Sequence, residues 1–279
     1  MILRLALSLV LLSAPAMAEP PQRILSLGGS ITEIVAALGA TDRLVGRDST
    51  STFPPQVQAL PDIGYFRALS PEGILSLSPD LILTESGAGP QETLDILQAA
   101  GIPLVAAPDD TSPEGLATKI ETVAAALDLP EAGRTLAAEV TRGLDAAKAR
   151  AATITDRKSV LFILSLEGGR VMAGGAGSTA DSMIRLAGGT NAATGFGGYK
   201  QITDEAALAA APDVILLMQA EGDRTLTDAD ILSHPALSQT PAAAKGAILR
   251  MDGLLLLGFG PRTPQAAADL HALLYPAGE

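Results

Sequence analysis

Short apolar runs alternate with amphipathic stretches along the whole chain. Runs of three to six residues predict buried strands at 23–27, 44–46, 80–84, 102–106, 159–164 and 247–251. Stretches with apolar residues at three- and four-residue spacing predict helices at 31–38, 91–100, 178–186 and 263–274. The glycine-rich stretch 168–177 is interpreted as turns. Strands and helices that alternate at these lengths predict an α/β protein with parallel, helix-flanked sheets.

The longest helix is predicted in the middle of the chain, from Pro130 to about Thr153. Its buried face is marked at spacings of four, four and three residues by Leu136, Val140, Leu144 and Ala147. No Gly/Ser-rich linker lies near it. We therefore expect two lobes, residues 19–129 and 158–279, joined by one long rigid α-helix within 130–157. A ligand cleft is expected between the lobes.

A block of sixteen residues occurs twice, 133 positions apart, at 68–83 and 201–216. Each copy is typical of a capped short helix, a Pro-Asp turn and a buried strand. Two similar lobes explain one repetition at this spacing, because a solenoid needs several shorter repeats. The six identical pairs are Glu72/Glu205, Leu75/Leu208, Pro79/Pro212, Asp80/Asp213, Ile82/Ile215 and Leu83/Leu216.

The first eighteen residues have the pattern of a secretory signal. One positive charge (Arg4) and an apolar run from Leu5 to Leu12 precede the small-residue exit Ala16-Met17-Ala18. We expect cleavage after Ala18 and export of the mature protein. The apolar run is too short to span a bilayer, and no other run reaches about 18 apolar residues, so we expect no membrane insertion.

Charge and cysteine content exclude several functions. The 279 residues carry a formal net charge of −12, which argues against binding to nucleic acid or anionic membranes. Cysteine is absent, and its absence excludes disulfides, thiolate metal sites and thiol catalysis. The exported chain therefore depends on its hydrophobic core, for which a 47% hydrophobic content is sufficient.

Three segments of the chain are similar to a known family. They are Arg23–Gly39 (RILSLGGSITEIVAALG), Leu60–Gly73 (LPDIGYFRALSPEG) and Leu254–Pro264 (LLLLGFGPRTP). These segments resemble the haemin-binding periplasmic proteins of bacterial ABC importers, within a broader group of helix-linked, two-lobed proteins that also bind cobalamin or ferric siderophores. The resemblance implies a monomeric periplasmic carrier that is not an enzyme and that delivers haem, as cargo, to a transmembrane permease.

The resemblance also implies site residues. A tyrosine in the Gly-Tyr-x-Arg context, here Tyr65, ligates the haem iron in the similar proteins, and phenolate oxygen suits ferric iron. Arg67 lies two residues further on and is expected to stabilise the phenolate or pair with a haem propionate. Tyr199, just before the second repeat copy, is expected to line the opposite wall of the cleft or to be an ordinary loop tyrosine.

The histidines limit the choice of iron ligands. Some relatives use a second-lobe histidine, but the segment Ser165–Gly169 contains none here. The two histidines of the chain are His234, in a Ser-His-Pro loop, and His271, inside the last predicted helix. Five-coordinate iron with Tyr65 as its axial ligand is therefore expected.

The repeated glutamates have a separate expected role. Glu72 and Glu205 match the glutamates, one in each lobe, that dock related binding proteins onto permease arginines. A carboxylate in the first turn of a helix also interacts favourably with the helix dipole, so capping is the alternative.

Other motifs give weaker signals. The segment Gly175–Ala180 matches G-x-G-x-x-A but lacks the acidic residue about 20 positions on that a dinucleotide site requires. The Gly28-Gly29-Ser30 turn leads into a helix whose free amides can accept a carboxylate, or it is only a tight turn. No G-x-S-x-G triad and no His/carboxylate cluster points to an enzyme. Cobalamin or a ferric siderophore remains the alternative ligand to haem.

Overall fold

The computed structural model describes residues 19–219 and 226–276. The predicted signal segment 1–18 lies outside these residues. The first sheet has four strands in the order β2-β1-β3-β4, and every pairing in it is parallel. The strands are β1 (Ile24–Leu27), β2 (Leu44–Arg47), β3 (Leu81–Glu85) and β4 (Leu104–Ala107). The parallel sheet predicted for this part of the chain is confirmed.

Four helices flank the first sheet. They are α1 (Gly29–Ala37), α2 (Pro71–Ser76), α3 (Gln91–Ala99) and α4 (Pro113–Ala126). Apolar clusters fill both sides of the strands, as expected for parallel strands that are buried on both faces. Ile24 and Leu83 face one cluster, whereas Leu25 and Ile82 face the other.

The long helix predicted in the middle of the chain is confirmed as α5 (Pro130–Ala152). Of its predicted face, Val140, Leu144 and Ala147 are buried, and Leu136 is partly buried. The helix α5 packs on α4 of the first lobe and on the last helix, α11 (Thr263–Leu274), of the second. Gly133 lies so close to Ala124 that any larger residue would overlap it. One helix therefore belongs to the packing of both lobes.

The second sheet is mixed. Its main path runs β10-β9-β5-β6-β8, with β7 paired to β5. The strands are β5 (Ser159–Glu167), β6 (Arg170–Gly174), β7 (Thr190–Asn191), β8 (Tyr199–Ile202), β9 (Val214–Gln219) and β10 (Ile248–Asp252). The β10, β9, β5 and β7 strands are parallel, whereas β6 is antiparallel to both β5 and β8.

The interpretation of 168–177 as turns was therefore wrong, and so was a wholly parallel second sheet. Gly168 and Gly169 have positive φ angles of 59° and 75°, which suit the two-residue turn of a hairpin. After that turn, Val171 and Ala173 are fully buried on alternate positions, the period of a strand. The glycines open a hairpin, and β6 follows directly.

In the described part of the second lobe there are six α-helices, and most of them flank its sheet. They are α6 (Thr179–Leu186), α7 (Asp204–Ala209), α8 (Asp228–Ser233), α9 (Pro241–Ala244), α10 (Gly253–Leu257) and α11. One apolar cluster lies on the α6, α10 and α11 side of the sheet, and a second lies on the α7 and α9 side. Among the described residues, no helix is long and apolar enough to cross a membrane.

The two copies of the repeat fold alike. Each gives a short helix, α2 or α7, then a turn and a buried strand, β3 or β9. Ser78 and Ala211, at equivalent positions, both adopt positive φ angles, 45° and 40°. The carboxylate of Asp80 accepts hydrogen bonds from the start of the neighbouring strand, at Arg23 N (2.9 Å), and Asp213 does the same for Ser159 N (3.0 Å). The sequence repeat thus corresponds to a structural repeat.

Candidate functional site

The carboxyl edges of the two sheets face each other. In the second lobe, Leu254 follows β10. It packs directly against Gly29, at the start of α1 in the first lobe. After β4, Thr111 lies 2.7 Å from Ser182 of α6, oxygen to oxygen. In open α/β sheets, ligands bind beyond the carboxyl ends of parallel strands. The space between these two edges is therefore the candidate site.

Tyr65 lies on a loop at the carboxyl edge of the first sheet. The loop is held by backbone hydrogen bonds, from Ser49 N to Gly64 O (3.0 Å) and from Gly89 N to Phe66 O (3.0 Å). Gly64 has a φ of 89°, which orients the chain into the loop without strain. The side chain of Tyr65 is 44% exposed, and its ring meets the buried Phe66 edge-on at 5.2 Å between centroids. Its hydroxyl has no hydrogen-bond partner among the described residues.

Arg67 is exposed on the same loop. Its guanidinium lies over the ring of Phe66, 4.9 Å from the centroid. Within residues 19–219 and 226–276 it forms no ion pair. Within the part of the chain that the structure describes, the loop therefore presents a phenol without a hydrogen-bond partner and a cation without an ion pair, and both contact the buried ring of Phe66.

Tyr199 belongs to the opposite lobe and has a different environment. Its hydroxyl lies 2.6 Å from Thr179 Oγ1 and accepts a hydrogen bond from Ala180 N (3.4 Å), at the start of α6. Burial raises the pKa of this phenol, and the nearby carboxylate of Asp109 acts in the same direction. Tyr199 therefore stays protonated at neutral pH and offers a neutral hydroxyl instead of a phenolate. Asp109 follows β4 in the first lobe, so Tyr199 faces that lobe.

The floor between the lobes is a polar network. Arg262 donates to Glu33 of α1 through both Nη2 and Nε, the latter at 3.1 Å, and its guanidinium stacks on Phe53 at 3.6 Å. Lys119 Nζ lies 3.4 Å from Ser30 Oγ and 3.4 Å from the backbone carbonyl of Phe259. Both contacts are made in the interior, and they connect α1 and α4 to the segment before α11.

Burial raises the pKa of two carboxyl groups in this network. Desolvation raises the pKa of Glu33, against the opposing effect of its ion pair with Arg262. Desolvation also raises the pKa of Glu85, which accepts a 2.6 Å hydrogen bond from Ser30 Oγ and faces Lys119. The sequence analysis did not assign any of these residues. The one available signal was a charge inside an otherwise apolar helical stretch, at Glu33.

The amides at the start of α1 are already occupied. Gly28 N donates to Asp48 Oδ1 (3.0 Å), Gly29 N to Thr50 Oγ1 (3.0 Å) and Ser30 N to Glu85 Oε1 (3.3 Å). Of the two interpretations of this turn, the external carboxylate site is therefore wrong. The protein's own side chains take the place of a ligand.

Glu72 and Glu205 lie at equivalent places, in the first turns of α2 and α7. Both are exposed, and the pKa of each carboxyl is lowered. The main cause is a hydrogen bond from Ser70 for Glu72 and a hydrogen bond from its own backbone N–H for Glu205, with a smaller contribution from Thr203. The helix α2 starts next to Gly89, beyond the carboxyl end of β3. The helix α7 starts near His234, which contacts the turn that follows β5. Each glutamate is thus at the carboxyl edge of its own sheet.

The two histidines make backbone contacts within the second lobe. His234 is buried, with Nε2 3.0 Å from Gly169 O and Nδ1 accepting from Ala236 N and Leu237 N at 3.3 Å. His271 Nδ1 lies 3.0 Å from Ala187 O. In the described part of the chain, no three or more His, Asp or Glu side chains cluster as metal ligands.

Among the described residues, two cavities are separate from the tyrosines of the candidate site. One, of about 430 Å³, is inside the second lobe between β7 and α7. The other, of about 480 Å³, is at the lobe junction beside α5 and includes Lys148, Arg157 and Arg185. Neither is lined by Tyr65, Arg67 or Tyr199.

Solved structures of the same architecture include heme-binding proteins. The periplasmic heme-binding protein RhuT from Roseiflexus sp. RS-1 is 42% identical, with a TM-score of 0.87, over 92% of this chain and 99% of that chain. The periplasmic heme-binding protein HutB of Vibrio cholerae is 32% identical, with a TM-score of 0.81, over 91% of this chain and 99% of that chain. This likeness confirms the two-lobed α/β fold.

Sequence relatives with a different printed ligand also match. The vitamin B12-binding protein of Vibrio campbellii is 30% identical over 211 residues, which are 75% of each chain. The profile of the family described as periplasmic binding protein, a family of transport proteins that bind substrates, matches residues 24–254. That match spans most of the sequence, and the chain is therefore a member of the periplasmic binding protein family.

Proposed function

We propose that this protein captures haem in the cleft between its lobes and delivers it to the permease of an ABC importer. Tyr65 is the axial ligand of the haem iron, Arg67 pairs with the phenolate or with a propionate, and Tyr199 lines the opposite wall. The protein acts as a monomeric carrier in the periplasm and does not catalyse a reaction.

The observation that carries this proposal is the placement of Tyr65 and Arg67 on one loop, where both side chains contact the ring of Phe66. The Tyr65 hydroxyl is free of protein partners in the described residues and is exposed at the carboxyl edge. Phenolate oxygen is a hard anionic donor that suits ferric iron, and the Arg67 guanidinium on the same loop suits the carboxylate of a haem propionate. Tyr199 lacks these features, because its hydroxyl is engaged and burial raises its pKa. This contrast supports Tyr65 as the iron ligand and Tyr199 as a neutral contact.

The likeness to RhuT and HutB over nearly the whole of both chains supports haem as the cargo. Cobalamin is the second candidate, because a vitamin B12-binding protein is similar over three quarters of its length. A tyrosine beside an arginine favours haem, since phenolate is an established axial ligand of haem iron.

The test is a titration of the mature protein with haemin, followed by absorption spectroscopy. Wild type should give a Soret band with a tyrosinate charge-transfer feature. Tyr65→Ala should lose that feature and most of the haemin affinity while remaining folded. The matched variant Tyr199→Phe should keep the feature, because a neutral hydroxyl does not ligate the iron. Haemin binding by Tyr65→Ala with an unchanged spectrum would reject Tyr65 as ligand, and binding of cyanocobalamin alone would reject haem.

The delivery step is assigned to Glu72 and Glu205. Both carboxylates are exposed and ionised, and they occupy equivalent positions in the two lobes. Charged groups at the edge of an interface steer the encounter of two proteins and fix the orientation in which they dock. Reversing both charges to lysine should abolish uptake but leave haemin binding in solution intact, and each single reversal should cost less than the pair. Normal uptake by the double variant would return both residues to helix capping.

A further inference from the structure

The inference concerns the repeat and rests on the delivery step proposed above. Of its six identical pairs, three are explained by burial in the core: Pro79/Pro212, Ile82/Ile215 and Leu83/Leu216. The Asp80/Asp213 pair is explained by its hydrogen bonds to the starts of β1 and β5. Folding thus accounts for four of the six identities.

The two remaining identities lie on one exposed surface in each lobe. Glu72 and Leu75 are three residues apart on α2, and Glu205 and Leu208 are three residues apart on α7, so each pair shares one face of its helix. Leu75 is 39% exposed and Leu208 is 43% exposed. Neither leucine belongs to the apolar cluster on its side of the sheet, so core packing gives no reason for leucine at both positions.

We propose that Glu72 with Leu75, and Glu205 with Leu208, form two equivalent docking patches for the permease. In each patch the glutamate pairs with a basic side chain of the permease, and the leucine enters an apolar pocket beside it. Apolar contact next to an ion pair excludes water from the pair and slows dissociation.

The partner's symmetry follows from the repeat. Two equivalent patches on one chain match a partner that presents the same site twice, as a twofold-symmetric dimer does. A second copy of this chain fits poorly, because its own glutamates would meet these glutamates and its net charge is −12. The partner surface is therefore basic around two apolar pockets.

The test measures binding of the protein to the cognate permease–ATPase complex in lipid nanodiscs. Leu75→Ala and Leu208→Ala should each weaken binding about fivefold, and the double variant about twenty-five-fold. The reason is that docking of the wild-type protein buries the partly exposed side chain of each leucine. Haemin binding in solution should be unchanged. Leu273→Ala is the matched control: it is 43% exposed on α11, and it should bind the permease like wild type.

Several outcomes would overturn the proposal. Wild-type affinity in the Leu75→Ala/Leu208→Ala variant, together with lost affinity in the double glutamate reversal, would leave the docking role to the glutamates alone. Unchanged affinity in both double variants would reject this surface and the delivery step together. Equal binding to empty nanodiscs would indicate a lipid contact. A wild-type dimer that the leucine variants dissociate would indicate self-association. Failure of haemin to bind would reject haem as the ligand, but the binding of the protein to the permease could still be measured and interpreted.

Discussion

Arg262 and Glu33 are 229 positions apart in the sequence, yet Arg262 Nε lies 3.1 Å from Glu33 Oε1 at the junction of the lobes. The glutamate side chain is 4% exposed and the arginine 22%. Phe53 covers the other face of the guanidinium. This ion pair fixes the position of the segment before α11 against α1, and with it the orientation of the two walls of the cleft.

Removal of the arginine should therefore destabilise the protein. We expect Arg262→Ala to lower the free energy of unfolding by about 3 kcal/mol, because it leaves a buried carboxylate unpaired. Chemical denaturation monitored by circular dichroism measures the effect. The control is Arg134→Ala, whose exposed partner Glu131 lies one turn away on α5 and whose loss should change stability by less than about 0.5 kcal/mol. Equal effects of the two variants would contradict the prediction.

The pH dependence of stability should reveal Glu85. Desolvation raises the pKa of this carboxyl above 4.5, so the folded state keeps its proton to higher pH than the unfolded chain. Its contribution to stability is fully present below pH 4.5 and is lost as the pH rises through the folded-state pKa. Relative to Glu85→Gln, wild type should therefore lose stability between pH 4.5 and neutrality, measured by urea unfolding.

Glu72→Gln is the control, because the stability contribution of Glu72 should change with pH in the opposite direction. A hydrogen bond from Ser70 lowers the pKa of Glu72, so its contribution is present above pH 4.5 and is lost as the pH falls through the folded-state pKa. The difference in free energy of unfolding between wild type and Glu85→Gln should change with pH. A difference that stays constant would contradict the prediction for Glu85.

The positive φ of Ala211 should carry a measurable strain. An alanine at φ 40° is in the left-handed region, where its Cβ is unfavourable, so Ala211→Gly should raise the free energy of unfolding by about 0.5–1 kcal/mol. Thermal unfolding measures the change. The neighbouring Ala210 has a helical φ of −60°, and Ala210→Gly should instead lower stability by up to about 1 kcal/mol. A loss of stability in both variants would contradict the prediction.

The histidines should have no influence on the haemin spectrum. Both contact backbone groups within the second lobe, so neither is positioned to reach the iron. We expect His234→Ala and His271→Ala to bind haemin with the wild-type Soret band, although the first removes a buried contact and should lower the unfolding midpoint. A spectral shift in either variant would reject five-coordinate ligation by tyrosine.

Local patterns were sufficient for the elements and for the repeat. Apolar runs gave β1 to β5 and β10, because burial on both faces leaves a short continuous apolar signal. The β6 strand was missed because glycines dominate its flanks, although Val171 and Ala173 alternate with exposed or partly exposed neighbours. The Glu33–Arg262 pair was not predictable, since only the folded chain brings residues so distant in sequence together. Tyr65 was proposed as a ligand from its motif and not from periodicity, and that assignment stays a prediction.

The occupied amides at the start of α1 have a consequence for how an elongated anionic ligand enters the cleft. Asp48, Thr50 and Glu85 already accept from Gly28, Gly29 and Ser30, so acidic and hydroxyl side chains of the protein, and not the carboxylates of a ligand, occupy these amides. Arg67 at the mouth presents the opposite sign. Under the function proposed above, we therefore expect a flat ligand with acidic groups at one end to enter with its hydrophobic end leading and to keep its acidic end near Arg67.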